Sequence, residues 1–369
     1  MNGLILCTKE CNLRCKYCFE ESMHTNCPMP LSEIRQKFGF FLDNYFDKFI
    51  RELIAINDGL KRRETDITFH GGEPLLIGYD LLKKGFEMVK KYPNTIIAVQ
   101  TNGTLITDEI IQLFVDYEVR VGISIDGPKY MHDAYRLNLG DTGSFDRIYR
   151  NIEKMRSAGV VVGALATVTD ITVKNPKDFY SFFRDLKLDF SFNPCFTDPN
   201  LPSTYNVLNM GEFIEFYKRM FDLWVNDKEG NLSITCFERI LSAMAVKKSP
   251  WMEVCTYIPD CSMTTVAINP DGEFYRCLHY CMDSKNKIGD ISVDNLNKAL
   301  GDEAFSKRWQ HLKTGECAEC DIQDYCCGGC PYVAESVNGG ILTRSNTCIS
   351  QKAIVHYIYN YLQQFVASE

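Results

Sequence analysis

Residues 11–18 read Cys11-Asn12-Leu13-Arg14-Cys15-Lys16-Tyr17-Cys18, and they follow closely on the apolar run Leu4–Cys7. That run is short and uncharged, as a buried parallel strand is. The cysteines, spaced Cys-x3-Cys-x2-Cys, then occupy the loop at its C-terminal end. Three thiolates on one loop can hold three irons of a cubane and leave the fourth open to a small molecule. A structural zinc site is the other reading; it wants four ligands, and His24 or Cys27 could supply the fourth.

Outward from this loop, five further apolar runs alternate with helical patterns: Asp66–Phe69, Ile96–Gln100, Val121–Ile125, Val161–Val168 and Phe190–Asn193. Between them, Leu31 to Asn57 places Ile34, Phe38, Phe41, Tyr45, Phe49 and Leu53 on one helical stripe. Further helices are expected over Leu81–Tyr92, over 108–117 behind Thr107 as N-cap, and over Ser144–Ala158 ending at Gly159. Another begins at Asn175-Pro176. Six strand–helix units argue for an α/β barrel or an open parallel sheet. Eight would close a full barrel, so the expectation is a partial (β/α)6 TIM-like barrel with its site at the C-terminal strand ends.

Past about residue 230 the alternation stops, and cysteines dominate from Cys255 to Cys348. Thr264–Asn269, the turn Pro270-Asp271-Gly272 and Glu273–Cys277 read as a β-hairpin. A last helix is expected over Ile349 to Val366. The resulting division is 1–230 barrel, 231–254 helical connection, 255–350 cysteine-rich domain and 351–369 terminal helix. Cys317-x2-Cys320-x5-Cys326-x3-Cys330 is followed by Cys348 and preceded by Cys255, Cys261 and Cys277. These cysteines suffice for two fully ligated cubanes or, alternatively, two zinc ions.

The chain of 369 residues is 45% hydrophobic, enough for one large domain or two ordinary ones. A net charge of −8 and the lack of a basic stripe disfavour nucleic acid and anionic membrane surfaces as partners. The start, Met1-Asn2-Gly3-Leu4-Ile5-Leu6-Cys7, lacks the basic and apolar regions of a signal peptide. No apolar run is long enough to span a membrane. The expected location is the cytoplasm, where an odd count of 17 cysteines points to metal ligation rather than disulfides. Cys7, Cys27, Cys195, Cys236, Cys281 and Cys327 fall outside both constellations; buried free cysteine behaves as a small apolar residue. Cys281 and Cys327 adjoin ligand positions, so a ligand swap there stays open.

The cysteine loop, with an aromatic before its last cysteine, resembles the signature of the radical S-adenosylmethionine (SAM) superfamily. Gly71-Gly72-Glu73-Pro74, Gln100-Thr101-Asn102-Gly103 and Ser124-Ile125-Asp126-Gly127 follow in order at strand ends, with His132, Asp133 and Arg136 downstream. The resemblance implies that Cys11, Cys15 and Cys18 hold a [4Fe–4S] cluster to which SAM chelates. It implies that Tyr17, Gly72, Glu73, Asn102, Ser124 and Arg136 line the cofactor site, with Phe196 near the adenine. Glu73 would offer a carboxylate to the methionyl ammonium and Arg136 a fork to its carboxylate, while glycines let backbone approach the ligand. One-electron cleavage of SAM then yields a 5′-deoxyadenosyl radical that takes a hydrogen atom from an unactivated C–H bond.

The C-terminal cysteines resemble the SPASM domain of radical SAM maturases, which implies two auxiliary [4Fe–4S] clusters. By that resemblance the inner cluster takes Cys255, Cys261, Cys277 and Cys330, and the outer one Cys317, Cys320, Cys326 and Cys348. The implied partners are a peptide or protein substrate and a one-electron reductant such as flavodoxin or ferredoxin. Many peptide maturases carry an N-terminal leader-binding module. A first strand beginning at residue 4 leaves no room for one, so leader recognition would fall to a separate protein, to the barrel surface, or to neither.

Two reactions compete: crosslinking of a ribosomally made peptide through a thioether or carbon–carbon bond, and anaerobic sulfatase maturation, which makes formylglycine from Cys or Ser. Length and cysteine layout look close to the sulfatase-maturing group. That group, however, has an aspartate base directly after the third inner-cluster cysteine, where this chain has Leu278, which accepts no proton. His279, Asp283 and His70 are candidate substitutes. On that departure the sequence favours crosslinking. A non-catalytic Fe–S electron carrier is a third reading, but it has no need of Gly71–Pro74 or Arg136.

Overall fold

In a computed structural model the described residues are 1–18, 29–195, 208–246, 261, 264–301, 303–323 and 325–366. Phe196 and Cys255, with His24 and Cys27, lie outside the described residues. The strands are β1 Asn2–Leu6, β2 Leu13–Cys15, β3 Thr65–His70, β4 Thr95–Thr101, β5 Arg120–Ser124, β6 Arg136–Asn138, β7 Val161–Val168, β8 Phe190–Pro194, β9 Thr265–Ile268, β10 Glu273–Tyr275 and β11 Gly289–Asp290. The expected runs are recovered as β1, β3, β4, β5, β7 and β8 with ends shifted by a residue or two, so the class is α/β as anticipated.

The chain divides into two compact units. The first holds Met1–Ile125, His132–Ala164 and Ser262–Gly301; the second holds Asp126–Met131, Leu165–Cys261 and Asp302–Glu369. In the first unit the strand order is β11-β10-β9-β1-β3-β4-β5. β1, β3, β4 and β5 run parallel, with Ile5 opposite Phe69 and Phe69 opposite Val99. Ile5, Ile67, Phe69, Ile97, Val99 and Ile123 are buried, as alternating β-branched and aromatic strand residues should be.

The hairpin read from 264–277 exists, with Gly272 in the left-handed region at φ 85°. It is not confined to a cysteine domain: β9 pairs parallel to β1, Ile268 opposite Ile5, and the sheet becomes mixed. β1 is therefore an interior strand flanked by β3 and β9, and the loop that leaves it starts from a rigid base.

The stripe over Leu31–Asn57 is interrupted by a π turn, Leu42–Phe46, between helices Leu31–Phe41 and Asp47–Gly59. The wider turn inserts a residue into the helical spacing, so Phe46 faces the core where the regular spacing put Tyr45. Thr107 caps its helix as expected, accepting from Ile110 N. Asn175 does not cap; its amide donates back to Ile171 O at 2.8 Å, and Pro176 alone marks that helix start.

The second unit is built on aromatic packing. Phe183 stacks on Phe190 with centroids 4.1 Å apart, and Phe179, Phe192, Phe216, Tyr217 and Phe237 pack around them, mostly edge to face. Its C-terminal helix, Cys348–Val366, packs on helix Met210–Asn226 through Tyr357 and Tyr361 against Phe221. Among the described residues no helix is long and apolar enough to cross a membrane.

Candidate active site and metal centres

The N-terminal cysteine loop is held by a ladder that the sequence did not reveal. β2 pairs antiparallel with β6, placing Cys15 opposite Arg136, and Lys16 N donates to Tyr135 O at 2.9 Å. A turn then brings Cys18 N to Cys15 O at 3.0 Å. Past the ladder, Tyr17 stacks on Tyr135 at 5.8 Å, and the Arg136 guanidinium lies 5.3 Å from the Tyr17 ring centroid, within cation–π range. Two residues assigned to the cofactor site are thus brought together beside the cysteines.

His132 and Asp133 secure this arrangement. Ser144 Oγ donates to Arg136 O and accepts from His132 Nε2, both at 2.9 Å. Asp133 accepts from Phe145 N at the start of helix Phe145–Ser157. Asp126, in the second unit, accepts from Thr167 N at 2.8 Å.

Gly71 and Gly72 serve the protein's own backbone. Gly72 N donates to Thr8 O and Glu73 N to Glu10 O, both at 2.8 Å. A Cβ on Gly71 would stand 2.4 Å from Thr8 O, and one on Gly72 2.2 Å from Glu10 O. The two glycines therefore admit the segment that delivers Cys11, a close approach open only to residues without a side chain.

Glu73 is fully buried. Its carboxylate accepts from Leu75 N at 3.0 Å, Thr101 Oγ1 at 2.7 Å and Asn102 N at 2.8 Å. Burial pushes its carboxyl up to about 7 against the pull of these three hydrogen bonds. The group ties the end of β3 to the end of β4, a role the sequence reading of a ligand carboxylate did not contain. In Glu73→Gln the amide would face one of the three donors with a donor. Unfolding of the metal-free protein in denaturant is expected to show a loss of about 1–3 kcal/mol.

Asn102 is placed by that tie. Its Nδ2 donates to Asn12 Oδ1 at 2.9 Å and points to Cys11 Sγ at 3.6 Å, while its Oδ1 accepts from Thr104 N and Oγ1. Leu13 N also donates to Cys11 Sγ, at 3.4 Å. The two donors fix where the Cys11 sulfur lies at the head of the loop. Ser124, at the end of β5, is tied to Gln100 Nε2 at 3.2 Å.

In the second unit Cys317, Cys320, Cys326 and Cys348 are electrostatic neighbours. Burial, followed by Cys320 and Cys348, raises Cys317; burial pushes Cys326 up to about 12, with Cys348 and Cys317 adding to the rise. Turns gather them: Cys317 N donates to Leu312 O, Cys320 N to Cys317 O, Cys326 N to Ile322 O and Cys348 N to Ser345 O. Four gathered thiols, of which Cys317 and Cys326 resist ionisation on their own, fit a centre whose positive charge deprotonates its ligands. Among the described residues no group of three His, Cys, Asp or Glu side chains forms a single-ion site; the fit to a cluster rests on this grouping and on the all-thiol donor set. In the first unit Cys277 follows β10, and Cys281, fully buried, directs its thiol to Cys277 O at 3.5 Å.

The candidate bases separate. His70 Nδ1 accepts from Gly71 N at 2.7 Å, so neutral His70 carries its proton on Nε2. Burial, with a smaller contribution from His279, lowers its pKa to about 4. His70 is therefore held neutral. Lys285 holds the exposed Asp283 carboxyl below the usual range, by a side-chain contact at 2.6 Å. His279 faces His70.

The family model described as “Radical SAM superfamily” matches residues 5–186. A cysteine-type anaerobic sulfatase-maturating enzyme of Clostridium novyi (strain NT) is 30% identical over 370 residues, covering 95% of this chain and 94% of its own length. Among solved structures, native anSMEcpe with bound AdoMet is similar at a TM-score of 0.82 and 24% identity over 100% of both chains. Streptococcus suis SuiB bound to precursor peptide SuiA is similar at a TM-score of 0.63 and 15% identity, over 94% of this chain and 75% of that one. At these identities both structural likenesses speak to the fold alone.

Proposed function

This chain belongs to the radical SAM superfamily, and we propose that it is a protein-maturing oxidoreductase of the sulfatase-maturating kind, forming formylglycine from a Cys or Ser side chain. The observation that carries this reading is the 30% identity to a sulfatase-maturating enzyme along 95% of the chain. It reverses the preference drawn from the sequence, which rested on Leu278 alone. Crosslinking keeps only a likeness of fold to SuiB. One substituted position weighs less than agreement along the whole chain, and a proton acceptor can be supplied from another part of a site.

In this reading Cys11, Cys15 and Cys18 hold the substrate-side [4Fe–4S] cluster, and the inner and outer auxiliary clusters take the two sets of four cysteines given above. When bound, cluster and SAM supply a one-electron cleavage whose product abstracts a hydrogen atom. The protein's part is placement. Arg136 offers a fork for the methionyl carboxylate and Tyr17 packs beneath it. Asn102 orders the Cys11 sulfur, and Glu73 fixes the strand ends so that the backbone of Gly71 and Gly72 supports the cysteine loop. Ser124 and Phe196 complete the cofactor site. Residues 1–230 form the SAM-binding domain, 231–254 a helical connection, 255–350 the auxiliary domain and 351–369 the terminal helix. Formylglycine formation removes a hydrogen atom, an electron and a proton from the substrate side chain; for Cys, water then displaces sulfur as hydrogen sulfide. The partners are a sulfatase-derived peptide and a flavodoxin- or ferredoxin-type reductant. Only a crosslinking substrate would call for a separate leader-binding protein.

The test is mass spectrometry after anaerobic incubation of the reconstituted protein with SAM, reductant and a peptide spanning a sulfatase active-site Cys or Ser. A Ser peptide should lose two hydrogens and become reactive to hydrazide. A Cys peptide should also exchange sulfur for oxygen. Loss of two hydrogens with no aldehyde to trap would restore the crosslinking reading.

A further inference from the structure

Helix Glu303–Thr314 carries Arg308 inward, where it is only 3% exposed. Its guanidinium donates to four backbone carbonyls. Nε reaches Ile341 O at 2.8 Å, Nη1 reaches Cys327 O at 3.0 Å, and Nη2 reaches Gly328 O and Thr343 O, each at 2.9 Å. These carbonyls lie in two segments: the loop between Cys326 and Cys330, and the stretch leading to Cys348. The first loop turns through Gly328 and Gly329, both left-handed at φ 80° and 73°. A Cβ on Gly328 would stand 2.3 Å from Leu312 Cδ1, so the loop lies directly on the arginine's own helix. Gly328 O also accepts from Ser345 N at 2.9 Å, which joins the two segments.

The arrangement satisfies hydrogen bonding and leaves the charge. Four of the five guanidinium donors are engaged, and among the described residues all their acceptors are neutral. A buried cation without an anionic partner is costly. Burial works against this cation, and the sulfurs that work for it are those of Cys261, Cys330, Cys317 and Cys326. The first two belong to the inner ligand set and the last two to the outer. A thiolate-ligated cubane is anionic overall, so clusters in both sets would supply the missing counter-charge.

We propose that Arg308 is a positioning residue shared by the two auxiliary-cluster sites: its fork holds the Cys326–Cys330 loop in ligating shape, and its fixed charge raises the reduction potential of both clusters. The sign follows because a reduced cluster is the more negative state and a nearby cation stabilises it, net charge and hydrogen bonding being what set such potentials. The inference rests on reading the two cysteine sets as cluster ligands. The iron content of the unaltered protein tests that reading by itself: zinc in place of about twelve irons per chain would sink the ligand assignment first.

The experiment uses the full-length reconstituted protein, its Arg308→Met and its Arg308→Lys variants. Iron and sulfide are counted, cluster potentials are followed by EPR-monitored redox titration, and helicity is followed by circular dichroism. Arg308→Met should move both auxiliary potentials negative and leave the N-terminal cluster unmoved; Arg308→Lys, which keeps the charge, should restore them. Loss of the auxiliary irons from Arg308→Met, with helicity and the N-terminal cluster intact, equally supports the placement. An Arg308→Met protein with full iron at parental potentials overturns the proposal. So does one in which the whole chain unfolds and the N-terminal cluster is lost with it, because Arg308 would then serve the fold at large.

Discussion

Joint replacement of Cys11, Cys15 and Cys18 by alanine is expected to abolish 5′-deoxyadenosine formation and to lower iron from about twelve to about eight per chain. The three sulfurs share one short segment, yet each is placed by a different device. Cys11 accepts from Leu13 N, with Asn102 Nδ2 directed at it. Cys15 is fixed by its pairing with Arg136, and Cys18 by the turn that closes on Cys15 O. None of these devices is a core contact, so the fold should survive. The auxiliary irons, bound by residues far along the chain, should remain. Anaerobic turnover with SAM and dithionite, read by chromatography, and an iron assay on the same sample check both halves. Persistent deoxyadenosine in the triple variant would contradict the placement of SAM at this loop.

Gly72→Ala is expected to cause nearly as large a loss from a single methyl group. Its Cβ would lie 2.2 Å from Glu10 O, 2.5 Å from Glu10 C and 2.7 Å from Lys9 O, all backbone atoms with no rotamer to yield. Either β3 or the segment delivering Cys11 must move. Overpacking of this kind costs about 1–3 kcal/mol, and a misplacement of about an ångström at a catalytic centre can cost about 100-fold in rate. We expect deoxyadenosine formation to fall by about 100-fold or more, with partial loss of the N-terminal irons. Gly59→Ala is the control. A Cβ there meets nothing within 4 Å, and alanine in a helix is favoured over glycine by about 1 kcal/mol, so activity should hold. Equal activity in the two variants would mean that the loop has more room than the geometry gives it.

Much of this was legible in the sequence because it is local. The six expected strands, the hairpin at 264–277 and the last helix follow from period, turn chemistry and apolar runs, each signal complete within a few residues. The cysteine spacings are likewise local. What escaped is what distant segments do to each other. β2 and β6 are too short to carry a period, and only their pairing makes them strands. The docking of β9 on β1 joins residues more than 260 apart in sequence. The π turn at Leu42–Phe46 leaves the amphipathic pattern readable while moving its register, which is why Tyr45 was expected inside and Phe46 is found there. The tie that Glu73 makes to Thr101 and Asn102 escapes the sequence because its donors come from the next strand end. Arg308 is one cation among several on helix Glu303–Thr314, and nothing in its neighbours marks it as the buried one. Leu278 works the other way: in the sequence a single legible departure outweighs an agreement spread thinly over the whole chain, and the preference for crosslinking follows from it.

SAM cleavage depends on one iron at residues 11–18 that the protein leaves without a side chain. Adding SAM to the reduced, fully loaded protein and recording the EPR spectrum before and after tests this directly. The spectrum of one cluster should change, and the change should vanish in the Cys11/Cys15/Cys18 variant. A fully loaded protein whose spectrum is indifferent to SAM would contradict it.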